Sequence, residues 1–150
     1  MTSEEQIMNE KPIIERLREF ISGCPFLDDY TSLMVDRLED GICSYSIEPV
    51  ACNPIVKVYV NGTSLRRYEF HFASREAYTQ EVLDQIASSA FYEKFARWLE
   101  LCTKTERLPQ LDGDRLATKI EALTPGYIAS ANETKARYVI QCALTYLQAD

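Results

Sequence analysis

Two alternating segments joined by a hairpin signal constrain the fold of this chain more than any other feature. Residues 55–60 and 67–72 each place apolar side chains at every second position. Asn61-Gly62 lies between them and is the strongest short signal for a β-hairpin, although Thr63 and Ser64 allow a longer loop. We expect a helix to cover the apolar face of this hairpin, which consists of Val56, Val58, Val60, Tyr68, Phe70 and Phe72.

The opposite face of the predicted hairpin is charged and aromatic, with Lys57, Tyr59, Arg67, Glu69 and His71. Such a face is able to meet either solvent or a neighbouring subunit. The chain's one local basic grouping lies in the same region and comprises Arg66, Arg67, Arg75 and, not far off, Lys57.

Helical periodicity predicts two main helices. The first has an apolar stripe, follows Asn9 as N-cap with Pro12 in its first turn, and stops before Gly23 and Pro25. That stripe consists of Ile13, Ile14, Leu17, Phe20 and Ile21. The second helical region runs from about Ser74 to Cys102, with a kink or break at Ser88-Ser89. Before both, Ser3 with Gln6 fits a capping box, so residues 1–9 are predicted to form a short helical arm.

The remaining segments read as strands. Residues 31–40 are ambiguous and favour a strand ending at Asp40-Gly41, and residues 43–48 form another, closed by Pro49. In the last third, Leu116, Thr118 and Ile120 alternate with charged residues, which predicts a strand. Pro125-Gly126 predicts a turn into a further strand over residues 127–131. Residues 138–146 place an apolar side chain at every second position and predict the last strand. We therefore predict one α+β domain over residues 1–150, with a mixed, mainly antiparallel sheet packed on one face by two main helices.

Composition limits the class of protein. No segment approaches the roughly 20 apolar residues of a membrane span, and the polar first nine residues do not form a signal peptide, so we expect a cytoplasmic chain with no membrane partner. The five cysteines are scattered without C-x-x-C spacing and are predicted to be free thiols, mainly buried. The net charge of −7 opposes binding to phosphate backbones, so sequence-specific nucleic-acid binding is not expected.

A search for catalytic chemistry returns no site. His71 is the single histidine, G-x-S-x-G is absent, and neither dinucleotide-binding nor P-loop glycine patterns occur. The cysteines lack zinc-ligand spacing. The carboxylate pairs Asp28-Asp29, Glu39-Asp40 and Asp112/Asp114 lie in predicted loops and are typical of turns. Phe91, Phe95 and Trp98 have the spacing of core residues on a helix. We expect no catalytic residue, no metal and no cofactor, and hence not an enzyme.

Several blocks together resemble the small minor capsid or tail-terminator proteins of phages infecting Gram-positive bacteria. These blocks cover roughly residues 30–148, and they include Tyr45 to Pro49, Asn53 to Lys57, Tyr59, Gly62, Arg67, Phe70, Phe72, Ser74 to Tyr78, Phe91 to Glu100, Leu108-Pro109, Lys119 to Glu121, Gly126-Tyr127 and Ala136 to Cys142. The motifs are structural and not catalytic.

The resemblance implies a ring, expected to be hexameric, that caps a tail tube, stops its polymerisation and joins it to the head connector or collar. Its implied partners are further copies of this chain, the tail-tube protein and, in contractile tails, the sheath. The implied location is the bacterial cytoplasm during assembly and then the virion, or a phage-tail-like bacteriocin particle. Another small head–tail joining protein remains open, as does a monomeric host-interaction module.

Ring closure requires two different self-complementary surfaces on each subunit. We predict that the hairpin and its charged face supply subunit or tube contacts. The candidate interface residues are Lys57, Asn61, Gly62, Thr63, Ser64, Arg66, Arg67, Glu69 and Arg75.

Overall fold

A computed structural model describes residues 2–27, 33–35, 44–77, 82–131 and 135–149 of the chain. Three helices lie in these ranges: α1 is Ser3–Asn9, α2 is Ile13–Ile21 and α3 is Val82–Lys104. The strands are β1 Leu33–Val35, β2 Ser44–Val50, β3 Ile55–Val58, β4 Ser64–Ala77, β5 Arg115–Ala122, β6 Tyr127–Ala131 and β7 Lys135–Gln148. The predicted α+β class is therefore confirmed.

The strands form one open sheet in the order β1-β2-β4-β7-β5. Six of them, β2 to β7, are joined by antiparallel pairings, whereas β1 runs parallel to β2. β3 pairs with the first residues of β4, and β6 pairs with the first half of β7. The mixed, mainly antiparallel sheet is thus confirmed. The two 14-residue strands β4 and β7 pair along their whole length and form its centre.

The hydrophobic core lies between one face of the sheet, called here the helix face, and the helices α2 and α3. Its centre is an aromatic cluster in which the Phe72 ring stacks on Phe95 at 4.4 Å and on Tyr45 at 5.4 Å between centroids. Phe20 of α2 stacks on Trp98 of α3 at 5.0 Å, which ties the two helices together. Every second residue of β7 from 138 to 146 is buried on the helix face as predicted, but Val139 and Ala143 on the other face are buried as well, so the burial does not alternate strictly.

The N-terminal helices begin at other residues than those predicted. α1 is capped by Thr2, whose hydroxyl accepts from the Glu5 N–H while the Glu5 carboxylate accepts from the Thr2 N–H, both at 3.2 Å. The predicted Ser3 and Gln6 box is one residue too late. Asn9 ends α1 and does not cap α2, whose N-cap is Pro12. The apolar stripe of α2 is confirmed, with Leu17 and Ile21 fully buried.

Two strands extend further than predicted. β2 continues through Pro49, which pairs with Phe70 of β4. A proline is tolerated there because β1 pairs only with residues 45–47, so the ring meets no described strand on its other side. β4 continues to Ala77, so the prediction that Ser74 begins a helix is wrong. The reason is that β4 stays paired with β2 up to Arg75 and with β7 up to Ala77, and the buried Ser74 hydroxyl also hydrogen-bonds with the Tyr92 hydroxyl of α3.

A predicted break in α3 is absent, and β5 contains a bulge that was not predicted. α3 passes through Ser88-Ser89 without a break, since propensity at two serines is outweighed by tertiary packing of the same helix. In β5 a bulge between Ala117 and Lys119 shifts the register, so Ala117 and Ile120 face the core while Leu116 is exposed. The prediction that Leu116, Thr118 and Ile120 share one face is therefore wrong.

Helices cover only part of the predicted hairpin face. Phe70 and Phe72 are fully buried, but all four residues of β3 are exposed. β3 pairs with Ser64, Leu65 and Arg66 at the far end of β4, away from the stretch where the helices pack. The prediction that a helix covers Val56, Val58 and Val60 is wrong.

Several sequence predictions lie outside the described residues. These are the carboxylate pairs Asp28-Asp29 and Glu39-Asp40, the end of the first strand at Asp40-Gly41, Cys43 and Tyr78.

Candidate assembly surface

The hairpin of β3 and β4 presents the largest set of exposed apolar residues on neighbouring positions of the described chain. We call it the hairpin surface and define it as Ile55, Val56, Val58, Tyr59 and Val60. Val58 is 63% exposed and Val60 is fully exposed. The free edge of β3 also carries backbone groups that no described strand pairs with. Exposed apolar residues on an edge strand are a template for contact with another chain.

The turn at the tip of the hairpin is well formed. The Tyr59 N–H donates to the Thr63 carbonyl at 2.8 Å, and the Asn61 side-chain oxygen accepts from the Thr63 N–H at 3.1 Å. Gly62 has a φ of 90°, a conformation that favours glycine and that ends a three-residue hairpin loop. The Asn61-Gly62 signal therefore predicts the turn correctly, with Thr63 closing it.

Three leucines form an apolar row across the sheet beside the hairpin. On the face away from the helices, called here the outer face, Leu65 of β4, Leu147 of β7 and Leu116 of β5 pair side by side. Leu116 is 65% exposed and the other two are half-buried. The row begins beside Lys57 of β3, which pairs with Leu65, and runs to the opposite edge of the sheet.

The structure places five of the nine candidate interface residues in or beside the hairpin loop. These are Lys57, Asn61, Gly62, Thr63 and Ser64, and the Lys57 ammonium sits 5.0 Å from the centroid of the Tyr59 ring. Ser64 is buried, and its hydroxyl accepts from the Arg66 Nε at 2.9 Å. Its role is thus to hold a neighbour in place.

Arginines at the candidate interface are not brought together. Arg66 pairs with Tyr146 and lies on the helix face, whereas Arg67 lies on the outer face, 3.5 Å from the carboxylate of Glu69. Arg75 also lies on the outer face, but eight residues along β4 from Arg67, which is roughly 26 Å at the rise of a strand. The predicted basic grouping is therefore spread over two faces and both ends of one strand.

The outer face beyond the hairpin carries charges of alternating sign. Arg137 of β7 pairs with Glu48 of β2 at 2.5 Å, and Lys119 pairs with Glu121 within β5 at 2.5 Å. Each of these side chains remains partly exposed. A face with this pattern offers a partner both signs of charge and is suited to fixing the register of a contact.

His71 lies in the middle of the outer face, with Glu48 opposite it in β2 and Gln141 in β7. Burial lowers the pKa of His71 below its ordinary value; Glu48 opposes this shift and Arg137 adds to it. The Gln141 amide donates to the Tyr127 hydroxyl at 3.0 Å and so belongs to the same polar surface. The arrangement keeps the imidazole neutral at pH 7.

The lowered pKa of His71 predicts a pH dependence of stability. Because the unfolded chain, with a histidine pKa of about 6.5, takes up the proton more readily, the free energy of unfolding should fall as the pH drops below that value. His71→Gln should remove the part of this decrease in the free energy of unfolding that comes from protonation of His71. Urea unfolding between about pH 8 and about pH 5.5 compares the two proteins in a window above the titration of most carboxylates. Equal slopes for both proteins would contradict the prediction.

Asp112 and the thiols have structural roles. The Asp112 carboxylate accepts from the Lys11 N–H at 2.9 Å and from the Arg16 Nε at 2.7 Å, which lowers its pKa.

Cys24, Cys102 and Cys142 are buried free thiols as predicted, and burial raises their pKa values, which disfavours the reactive thiolate. Cys52 is a free thiol that is only half-buried.

Two further findings concern ligands and membranes. Within the described ranges, no three acidic, histidine or cysteine side chains are grouped so that they could hold a metal ion. None of the helices described is both long enough and apolar enough to cross a bilayer.

Sequence reasoning missed that the hairpin surface is exposed. The signal was present, because Ile55 and Tyr59 on the second face of the predicted strand 55–60 are apolar as well, and a strand covered on one side alone alternates with polar residues. It also did not anticipate Tyr92, whose buried hydroxyl meets Ser74 and donates to the Tyr138 carbonyl at 3.3 Å.

Comparison with known proteins adds no relative, since the chain matches no model of a protein family and has no significant match among curated proteins.

Proposed function

We propose that this chain is a structural assembly subunit without catalytic turnover, acting as a tail terminator of a phage or phage-tail-like particle. Copies of the chain form a ring, six being the expected number, that caps the tail tube and stops its polymerisation. The ring also offers a joining surface to the head connector or collar. Its partners are other copies of the chain, the tube protein and, in a contractile tail, the sheath.

One observation carries this proposal, the exposure of the hairpin surface. Burying a valine side chain stabilises a contact by about 1.5 kcal/mol or more, so leaving Val58 and Val60 in water is costly unless a partner covers them. The tight turn holds both residues in place before any contact forms. A preformed surface of this kind loses little conformational freedom on binding and suits repeated docking of identical copies.

The sequence supports the more specific assignment to tail terminators. The blocks that resemble that family include Tyr59, Gly62 and Arg67 of the hairpin and Ser74 of β4. Tyr59, Gly62 and Arg67 lie in or beside the hairpin loop, whereas Ser74 lies towards the far end of β4. The resemblance therefore includes the hairpin among blocks spread over roughly residues 30–148.

Tail tubes assembled without their terminator provide the direct test. Adding the purified chain to such tubes should place a ring at one end, visible by negative-stain electron microscopy, and should stop further growth when more tube protein is supplied. Tubes whose ends stay bare and continue to lengthen would contradict the assignment as terminator.

Reversing the charge at Arg67 should weaken assembly while preserving the fold. The Arg67 side chain is about one-third exposed on the outer face beside Glu69, so Arg67→Glu removes a cation from the rim of the contact. A rim charge contributes up to about 1 kcal/mol, which corresponds to an association about fivefold weaker. Light scattering at several protein concentrations measures this change, and circular dichroism monitors the fold.

Arg107→Glu is the matched control for this variant, since it makes the same charge change at an exposed loop position outside the hairpin surface. It should assemble like the natural protein. Equal association of both variants would remove Arg67 from the interface.

A further inference from the structure

The N-terminal helix α1 exposes apolar side chains that no described part of the chain covers. No residue of α1 is buried, and Ile7 and Met8 are 67% and 84% exposed. Glu4, Ile7 and Met8 share one face of the helix because they are spaced by three and four residues. This face, called here the arm face, is apolar with an acidic residue at its N-terminal end.

The base of α1 is anchored to the body of the chain. The Lys11 N–H donates to the Asp112 carboxylate at 2.9 Å, and the Arg115 guanidinium lies 3.7 Å from the Glu10 carboxylate. The Thr2 and Glu5 capping box keeps the helix formed up to its first residue. α1 is therefore a formed arm fixed at its C-terminal end, and its arm face is open to a partner.

A groove with complementary chemistry lies between α3 and the segment after α2. Its volume is about 410 Å³, and its apolar lining comes from Phe26, Trp98 and Leu101. Phe26 and Leu101 are 43% and 49% exposed. The Phe20 and Trp98 stacking beneath holds one wall in place.

The α3 wall of this groove is rich in cations. Lys94, Arg97 and Lys104 line it, against one carboxylate, that of Glu100. The excess of positive charge is local, because the whole chain carries a net charge of −7. These cations attract acidic surface on a second, negatively charged copy of the chain. The segment that fits the groove best is therefore apolar, with a carboxylate at its edge.

We infer that the arm face of one copy docks into the α3 groove of the next copy. Ile7 and Met8 meet Phe26, Trp98 and Leu101, while Glu4 meets the surrounding cations. The arm does not fill its own groove, since none of the residues lining the groove belongs to α1. Arm and groove are different surfaces, so the contact is heterologous and propagates around a ring. The inference rests on the proposed function and adds the second of the two surfaces that a ring subunit needs.

Photocrosslinking with isotope labels tests the contact. A chain carrying p-benzoyl-phenylalanine in place of Met8 is mixed with an equal amount of ¹⁵N-labelled natural chain at an associating concentration and irradiated. Mass spectrometry should find position 8 joined to peptides of the labelled chain that contain Phe26 or residues 94–104, which line the groove. Crosslinks confined to the probe's own chain, or to other segments of its neighbour, would overturn the inference.

Charge reversal supplies a second readout that does not depend on the probe. Glu4→Lys should weaken association about fivefold, the effect of one lost rim charge pair. Gln6→Lys is the control, because it places a lysine on the opposite side of α1 and leaves the capping box intact. Equal association of the two variants would contradict docking through the arm face.

Different results would contradict the arm contact and the proposed function. If the natural chain associates but the crosslinks lie elsewhere and Glu4→Lys behaves as Gln6→Lys does, the arm contact is wrong and the proposed function stands. If the natural chain remains monomeric alone and with tubes, the proposed function itself is wrong, and the arm contact with it.

Discussion

Phe72→Ala is expected to lower the free energy of unfolding by about 3–5 kcal/mol, the range for removing a fully buried phenylalanine. Phe72 is completely buried on the helix face of β4. Its ring lies against two rings of α3, with centroid distances of 4.4 Å to Phe95 and 6.4 Å to Phe91, and against Tyr45 of β2 at a centroid distance of 5.4 Å. The alanine leaves a cavity where sheet and helix meet, and the surrounding rings cannot all move in to fill it.

Urea unfolding followed by circular dichroism measures this change at a protein concentration too low for association. Leu116→Ala is the control, because Leu116 is 65% exposed and its truncation should change stability by no more than about 0.5 kcal/mol. A loss below about 1 kcal/mol for Phe72→Ala would mean that the aromatic cluster is not the centre of the core.

The double variant Val58→Asp with Val60→Asp should leave the fold intact and weaken association by at least about a hundredfold. Burial of two valines at a contact contributes about 3 kcal/mol, and about 1.4 kcal/mol corresponds to each factor of ten. Carboxylates at these positions would also have to be desolvated, which adds to the loss. Both side chains are exposed in the isolated chain, so stability should change little.

Sedimentation velocity over a range of concentrations measures the association of this variant. Ser89→Asp with Gln110→Asp is the matched control, since it adds the same charge at two exposed positions outside the hairpin surface. The control should associate like the natural chain. If the hairpin variant did so as well, the hairpin surface would not be part of the contact.

Periodicity predicted the centre of this fold well, because its elements each place one face against the core. The stripe of α2 and the alternation of residues 138–146 in β7 are both determined by burial against a single core. The Asn61-Gly62 turn was predictable for a local reason, since it needs a residue that tolerates a φ of 90°.

The errors occur where long-range contacts decide the local structure. Ser74 belongs to β4 because its hydroxyl meets Tyr92 of α3, and no local pattern contains that contact. The bulge in β5 similarly moves Leu116 out to solvent. At the hairpin surface the apolar pattern of β3 was recognised, but periodicity does not say whether a helix or another chain covers it.

The predicted basic interface residues show the same limit of local sequence patterns. Sequence spacing placed Arg66, Arg67 and Arg75 together, whereas strand geometry separates them by face and by distance along β4. The arm of residues 1–9 was predicted, yet its complement in the α3 groove depends on Phe26 and Leu101, which come together only in the folded chain.

Assembly itself is the central claim, and the mass of the natural chain in solution and on tail tubes tests it most directly. Sedimentation at increasing concentration should show a shift from monomer towards a hexamer, and the chain should cosediment with purified tubes. A chain that remains monomeric at every concentration and never cosediments with tubes would contradict the account.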